Sequence, residues 1–204
     1  LPIEAPRLQA ACSRILQHAA IPPTDADFVA QSLTEADLRG IHSHGSMRLG
    51  RYVRELREVT DTPKSWRIGA AVSLAHIESL VAHAYPDFAE VLRRFGSPPI
   101  RSTATLAGNI ANGSPIGDSM PLLMALGANV VLMAWRKGRM VSRHLALEDF
   151  YLGYKRTALA ADEVLCWVVV PHSLPNEWLG VYKVSKRFED DISAVCMAVC
   201  LRFE

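Results

Sequence analysis

Residues 102–121 read STATLAGNIANGSPIGDSMP, a long run of small, polar and turn-forming residues in a chain that is half hydrophobic. Short side chains let a backbone approach a phosphate closely, and consecutive N–H groups backed by a helix N-terminus supply partial positive charge. The stretch therefore predicts a small-residue loop able to hold a phosphate. The alternative is structural: Asp118 or Ser119 caps a helix that begins near Met120, with Pro121 in its first turn. On these residues alone both interpretations stay open.

Composition and charge argue against several classes of function. The 204 residues carry 22 Lys and Arg against 21 Asp and Glu, a net charge of +1, so no basic surface for nucleic acid is expected. The longest apolar run, 120–135, is interrupted by Pro121, Gly127 and Asn129 and is shorter than the roughly 18 residues of a membrane span. The four cysteines have neither zinc-site nor iron–sulfur spacing, which predicts no metal site and favours reduced thiols in the cytoplasm.

Hydrophobic spacing divides the chain near residue 57. Before this point, apolar residues at helical spacing predict helices over 5–20, 24–40 and 46–56. Beyond it, the predicted helices span 75–84, 86–95 and 120–126, and the predicted strands span 67–74, 129–135, 139–142, 163–170, 181–187 and 192–203. We therefore predict an α+β domain over 57–204, preceded by a helical segment over 1–56 that shares little core with it.

Three stretches beyond residue 57 resemble one family of flavoproteins. In order they are RRFGSPPIRSTATLAGNIANGSPIGDSMPLLMALGANVVL, FYLGYKRTALAADEVL and YKVSKRFEDDISAV. Together they resemble the flavin domain of the xanthine dehydrogenase family of molybdenum hydroxylases. The resemblance implies a vanillyl-alcohol-oxidase-like (PCMH-type) FAD-binding domain. It also implies that this domain is incomplete at both ends, because an upstream glycine-rich loop and a C-terminal subdomain have no counterpart here, so FAD binding is expected to be weak.

The same resemblance implies a set of cofactor contacts. By position in the motifs they are Phe95, Thr105, Leu106, Ala107, Gly108, Asn109, Asp118, Leu165 and Lys183. In this interpretation the backbone of 105–109 holds the diphosphate and Asp118 accepts a hydrogen bond from a ribose or backbone donor. Phe95 and Leu165 pack against flat rings, and Lys183 meets negative charge. The structural alternative makes Phe95 and Leu165 plain core residues and Lys183 a solvated lysine of an edge strand.

The resemblance further implies an electron-transfer role. FAD in this family passes electrons from iron–sulfur clusters to NAD, and the molybdenum and iron–sulfur chemistry belongs to other domains or subunits. The implied partners are therefore a molybdopterin-containing subunit and an iron–sulfur domain, and the implied location is the cytoplasm.

A second motif lies before the boundary, in EADLRGIHSHGSMRLGRYVREL, residues 35–56. It resembles the malate and L-lactate dehydrogenase family, which includes sulfolactate dehydrogenases, and Ser43, His44 and Arg48 match its signature. A histidine can move the proton of a 2-hydroxy or 2-oxo group, and an arginine one helical turn later can bind a carboxylate. The alternative function is therefore an NAD(P)-dependent 2-hydroxy/2-oxoacid oxidoreductase. Two further alternatives remain: these side chains cap and line a helix start, or the chain is a chimeric remnant without activity.

Overall fold

The computed structural model of the chain describes residues 4–19, 21–38, 49–137, 139–188 and 191–204. Its helices are α1 (Ala5–His18), α2 (Pro23–Leu38), α3 (Leu49–Arg57), α4 (Leu74–Val81), α5 (Pro86–Arg93), α6 (Pro98–Thr103), α7 (Leu106–Asn112), α8 (Ser119–Ala125) and α9 (Leu147–Phe150). Its strands are β1 (Val59–Asp61), β2 (Ser65–Gly69), β3 (Asn129–Arg136), β4 (Arg139–Ala146), β5 (Tyr151–Gly153), β6 (Arg156–Thr157), β7 (Val164–Pro171), β8 (Glu177–Val184) and β9 (Val195–Arg202). Among the described helices, none is long and apolar enough to cross a membrane.

The central sheet has the strand order β1-β2-β7-β3-β4, and every neighbouring pair is antiparallel. Its middle strand, β7, is apolar on both faces, as expected of a strand that is covered on both sides. A register shift against β3 places Leu165 and Val168 toward one core, whereas Cys166 and Trp167 face the other. The sheet therefore needs a layer on each face.

The larger core lies on the first face of the sheet, under helices α4, α5 and α7–α9. Its completely buried side chains include Phe88, Leu106, Ile110, Leu122 and Phe150. Together the helices and the antiparallel sheet make an α+β fold, as the sequence predicts.

The N-terminal helices cover the second face of the sheet. Leu16 of α1 and Leu33 of α2 belong to the same buried cluster as Val131 and Trp167 of the sheet. The expectation that residues 1–56 share little core with the rest is therefore wrong. The physical reason is β7, whose second face would otherwise expose apolar side chains to water.

The small-residue stretch at 102–121 also differs from expectation, because α7 and the end of α6 lie where a loop is predicted. The Thr105 hydroxyl caps α7 by accepting a hydrogen bond from the Gly108 N–H at 3.0 Å. Gly113 ends the helix with a φ of 59°, a left-handed conformation that glycine adopts without steric cost. The following helix is predicted well, since α8 begins at Ser119. Asp118 occupies its N-cap position, but its carboxylate makes no capping hydrogen bond.

Strands β8 and β9 form a separate antiparallel hairpin, which we call the β8–β9 hairpin. Its inner face, with Leu179, Val181 and Ala198, packs against the larger core. Its outer face exposes large apolar side chains, including Tyr182 and Met197.

Candidate functional site

A cavity of about 420 Å³ lies between α2, α7 and β7. Four of the nine predicted cofactor residues line it: Thr105, Ala107, Gly108 and Leu165. The opposite wall is formed by α2, which contributes Asp25 among other residues. Residues 105 and 165, which are 60 positions apart in the sequence, therefore meet at one cavity. Helix α2, which belongs to the predicted N-terminal segment 1–56, lies at the same cavity.

Short side chains on α7 keep this cavity open. Gly108 lies on the cavity wall, and a Cβ atom at this position would come within 3.0 Å of the Thr105 hydroxyl oxygen. Ala107 and Ala111 continue the same wall with single methyl groups. The volume falls within the range of small-molecule sites, roughly 300–1,000 Å³. The residues present therefore fit part of a dinucleotide cofactor packed closely against α7.

Two of the predicted residues on α7 point elsewhere. The Leu106 side chain is completely buried in the larger core. The Asn109 side chain accepts a hydrogen bond from the Ser119 hydroxyl at 2.5 Å, which links α7 to the start of α8. At these positions only the backbone remains for a cofactor contact.

Asp118 and Lys183 meet each other rather than the cavity. The Lys183 ammonium donates to Asp118 Oδ2 at 2.7 Å and to the Arg94 carbonyl at 3.0 Å. The Ser193 hydroxyl donates to the second oxygen of Asp118. The side chains of the pair are only 1% and 3% exposed, so Lys183 is not a solvated lysine. The pair joins α8 to the β8–β9 hairpin.

Cys196, on β9, lies beside this pair. Its thiol donates to the Asp118 carbonyl at 3.6 Å, and burial, with Asp118 adding to the effect, raises the pKa of Cys196 to about 11. The thiol is therefore protonated near neutral pH and acts as a weak hydrogen-bond donor.

Phe95 has the structural role that the alternative gives it, because its partly buried ring packs against the larger core. Leu165 has both roles: it belongs to that core and lines the cavity. The preceding residue, Arg94, donates to the Phe188 carbonyl at 3.0 Å and to the Lys183 carbonyl at 3.1 Å. These bonds hold the end of α5 against the β8–β9 hairpin.

The sequence motifs miss two acidic residues of the cavity wall, Asp25 and Glu163. The Glu163 side chain is 3% exposed, and Arg143 donates to it at 2.7 and 2.6 Å. Hydrogen bonds from Arg143 hold the pKa of Glu163 below its ordinary value. Burial raises the pKa of Asp25. In the sequence, Glu163 can be noticed because it is an acid at the start of an apolar strand. Asp25 has no such signal, since it resembles an ordinary acid in the first turn of a helix.

Ser43, His44 and Arg48, the residues of the oxidoreductase alternative, lie outside the described residues. Within the described part of the chain, no group of three or more His, Cys, Asp and Glu side chains is placed to hold a metal ion.

Comparison with known proteins identifies one family. The model of the FAD binding domain in molybdopterin dehydrogenase matches residues 38–173, beginning upstream of the boundary predicted near residue 57. The match includes residues 43–48, and the resemblance to malate and L-lactate dehydrogenases is not supported.

Individual relatives agree with this match. Xanthine dehydrogenase of Drosophila subobscura is 34% identical over 164 residues, which are 74% of this chain and 12% of that protein. Among solved structures, carbon monoxide dehydrogenase of Hydrogenophaga pseudoflava is 27% identical with a TM-score of 0.66, over 74% of this chain and 52% of that one. Quinoline 2-oxidoreductase of Pseudomonas putida 86 is 27% identical with a TM-score of 0.63, over 76% and 52%.

The chain thus spans about an eighth of the length of the curated relative (12%) and about half of the solved chains (52%). The family match covers all five strands of the central sheet and helices α6, α7 and α8. The chain belongs to the family of FAD-binding domains found in molybdopterin dehydrogenases.

Proposed function

We propose that this chain is an FAD-binding electron-transfer module of a xanthine dehydrogenase-like molybdenum hydroxylase. One observation carries the proposal: Thr105, Ala107, Gly108 and Leu165, taken from separate motifs, line a single cavity. When bound there, FAD supplies electron-transfer chemistry that amino-acid side chains lack.

The residues of the chain would hold and orient this cofactor. A cofactor in the cavity could approach the α7 backbone closely at Gly108, because glycine has no side chain to separate them. Leu165 and Leu159 form an apolar wall that excludes water from a bound ring. Asp118 and Lys183 act indirectly, since their ion pair fixes α8, and Ser119 at its start holds α7 through Asn109.

We extend the proposal to the partners and the electron acceptor. The supporting observation is the set of relatives, which are named as dehydrogenases and oxidoreductases and are longer than this chain. A molybdopterin-containing subunit and an iron–sulfur domain would deliver electrons, and NAD would accept them. The relatives are named for three different substrates, xanthine, carbon monoxide and quinoline. The free thiols at positions 12, 166, 196 and 200 suit a cytoplasmic location.

An FAD titration tests the proposal. We expect FAD to bind the pure chain, with quenching of flavin fluorescence and a rise in the melting temperature. Gly108→Val should weaken FAD binding at least about tenfold, because its Cβ alone would press on Thr105 at 3.0 Å and its methyl groups would enter the cavity.

Gly50→Val is the matched control, since nothing lies within 4 Å of a Cβ at Gly50, on α3. Thermal melts of both variants separate lost binding from lost folding. Absence of FAD binding by the unchanged chain would overturn the proposed function. Unchanged binding by a folded Gly108→Val would instead exclude this cavity as the site.

A further inference from the structure

A second, smaller space, which we call the α2–α3 chamber, lies between α2, α3 and the second face of the central sheet. Its volume is about 40 Å³. The two helices supply one wall, and strands β3, β4 and β7 supply the other. The residues that line it are Phe28, Val29, Ser32, Tyr52, Leu56, Met133, Met140, Val164, Cys166 and Trp167. The chamber therefore belongs to the contact between the N-terminal helices and the sheet.

The α2–α3 chamber offers water few free hydrogen-bonding partners. None of the described lining residues is Asp, Glu, Lys, Arg or His. The Ser32 hydroxyl donates to the Phe28 carbonyl at 3.0 Å, and the Cys166 thiol donates to the Val164 carbonyl at 3.7 Å. Burial raises the pKa of Cys166 to about 12, so its thiol stays protonated. Because a buried water needs about two to four polar partners, the chamber favours a nonpolar occupant.

The size of the chamber limits what it can hold. An engineered apolar cavity of about 150 Å³ stays dry and binds benzene or xenon. At about 40 Å³, the α2–α3 chamber has room for a smaller molecule, with about two or three heavy atoms. Met133 and Met140 let the walls adapt to such a molecule, because the thioether side chain is flexible and polarizable. Dissolved dioxygen belongs to this class of molecule.

The chamber adjoins the larger cavity at α7. The residues that line both spaces are Val29, Leu56, Val164 and Cys166. A molecule in the chamber would therefore lie next to the occupant of the larger cavity. On the sheet side, the Arg67 guanidinium carbon lies 3.8 Å from the centre of the Trp167 ring. This contact fixes the orientation of a ring that forms part of the chamber wall.

We infer, independently of the proposed function, that the α2–α3 chamber is a binding site for a small nonpolar molecule of about the size of dioxygen. The lining side chains supply dispersion contacts, which need no hydrogen-bonding partner on the ligand. Charged and strongly polar molecules are excluded, since they would lose their hydration without gaining partners in the chamber.

Xenon and dioxygen are the two probes, and the methyl signals of the methionines report their binding by NMR. Met133 and Met140 line the chamber, whereas Met197 is 48% exposed on the β8–β9 hairpin. We expect xenon to shift the signals of Met133 and Met140 in a saturable way and to leave that of Met197 without a saturable shift. Dioxygen is paramagnetic, so it should broaden the same two signals more strongly than that of Met197.

Ser32→Val tests the location of the site, because two methyl groups replace the hydroxyl and fill the chamber. We expect this variant to bind xenon at least about tenfold more weakly than the unchanged chain. Ser79→Val is the matched control. Ser79, on α4, also donates to the carbonyl four residues earlier, but it does not line the chamber. Thermal melts of both variants show whether they are folded.

Three results would overturn the inference. The first is a xenon-induced shift of Met133 and Met140 that does not saturate in the unchanged chain, a measurement that needs no substitution. The second is broadening by dioxygen that is no stronger at these two methionines than at Met197. The third is a folded Ser32→Val that binds xenon as tightly as the unchanged chain.

Discussion

Asp118 and Lys183 show how a residue that resembles a ligand contact can be committed to the protein itself. Both side chains are almost completely buried, and the hydrogen bonds from Lys183 and Ser193 occupy both oxygens of Asp118. Burial of two charges is costly, and the cost is offset only while the pair stays intact. The pair therefore positions α8, and through it the cavity, without lining the cavity.

Removing one charge of the Asp118–Lys183 pair should destabilise the folded chain much more than removing both charges. Lys183→Met leaves Asp118 buried without its counter-ion, and we expect a loss of about 3–5 kcal/mol in the free energy of unfolding. The double variant Lys183→Met, Asp118→Leu should recover much of that loss, because no charge remains buried. Urea unfolding of the single and double variants measures the coupling. Additive losses would contradict this account of the pair.

Glu163 makes the stability of the chain depend on pH in a defined direction. Arg143 lowers the pKa of this carboxyl group from its ordinary value of 4.5. The stabilisation is therefore complete above about pH 4.5 and is lost as the pH falls through the lower folded pKa. Glu163→Gln should reduce the acid slope of the unfolding free energy in this window.

Urea titrations between about pH 6 and pH 3 measure this slope, and Glu148→Gln, at an exposed residue of α9, is the control. An unchanged slope in Glu163→Gln would show that the ion pair with Arg143 does not form in solution.

At the scale of elements, the long apolar patterns predict the structure best. The strand predicted at 163–170 is β7 within one residue, because its run of apolar residues is decisive. Helices α6 and α7 escape prediction, since they have only six and seven residues and show little periodicity. Helix α7 depends on Thr105 as a cap and on the packing of its buried residues. Similarly, the motifs identify the α7 and β7 walls of the cavity, whereas the α2 wall arises from tertiary contacts that no local pattern encodes.

Helix α7 should depend on its N-cap residue. Thr105→Ala removes the acceptor for the Gly108 N–H, and we expect it to lower the free energy of unfolding by about 1 kcal/mol. Thr105→Ser keeps the hydroxyl and should retain most of the stability. Urea unfolding of the two variants measures the difference. If Ala and Ser were equivalent, the cap would contribute nothing and α7 would be held by its core residues alone.

At the scale of the whole molecule, the chain is a sheet with a layer on each face, and the two layers have different origins in the sequence. Leu106 and Ile110 anchor the flavin-type layer, whereas Leu16 and Leu33 anchor the N-terminal layer. The cavity lies where both layers meet β7, so its two long walls come from parts of the chain that sequence reasoning separates at residue 57. A boundary inferred from hydrophobic spacing can therefore pass through a shared core and a shared site.

The outer face of the β8–β9 hairpin leaves an apolar surface exposed. Trp178, Tyr182 and Met197 lie on its outer face and are 44%, 49% and 48% exposed. Tyr182 and Met197 are directly paired across the two strands, so their side chains form one continuous patch. Exposed patches of this kind promote association in water.

We expect the pure chain to associate as its concentration rises. The variant Tyr182→Thr, Met197→Thr should associate less, because threonine keeps strand propensity while removing apolar area. Light scattering across a concentration series measures the effect, and Leu152→Thr, at an exposed position outside the hairpin, is the control. Equal scattering by the double variant and the unchanged chain would place the associating surface elsewhere.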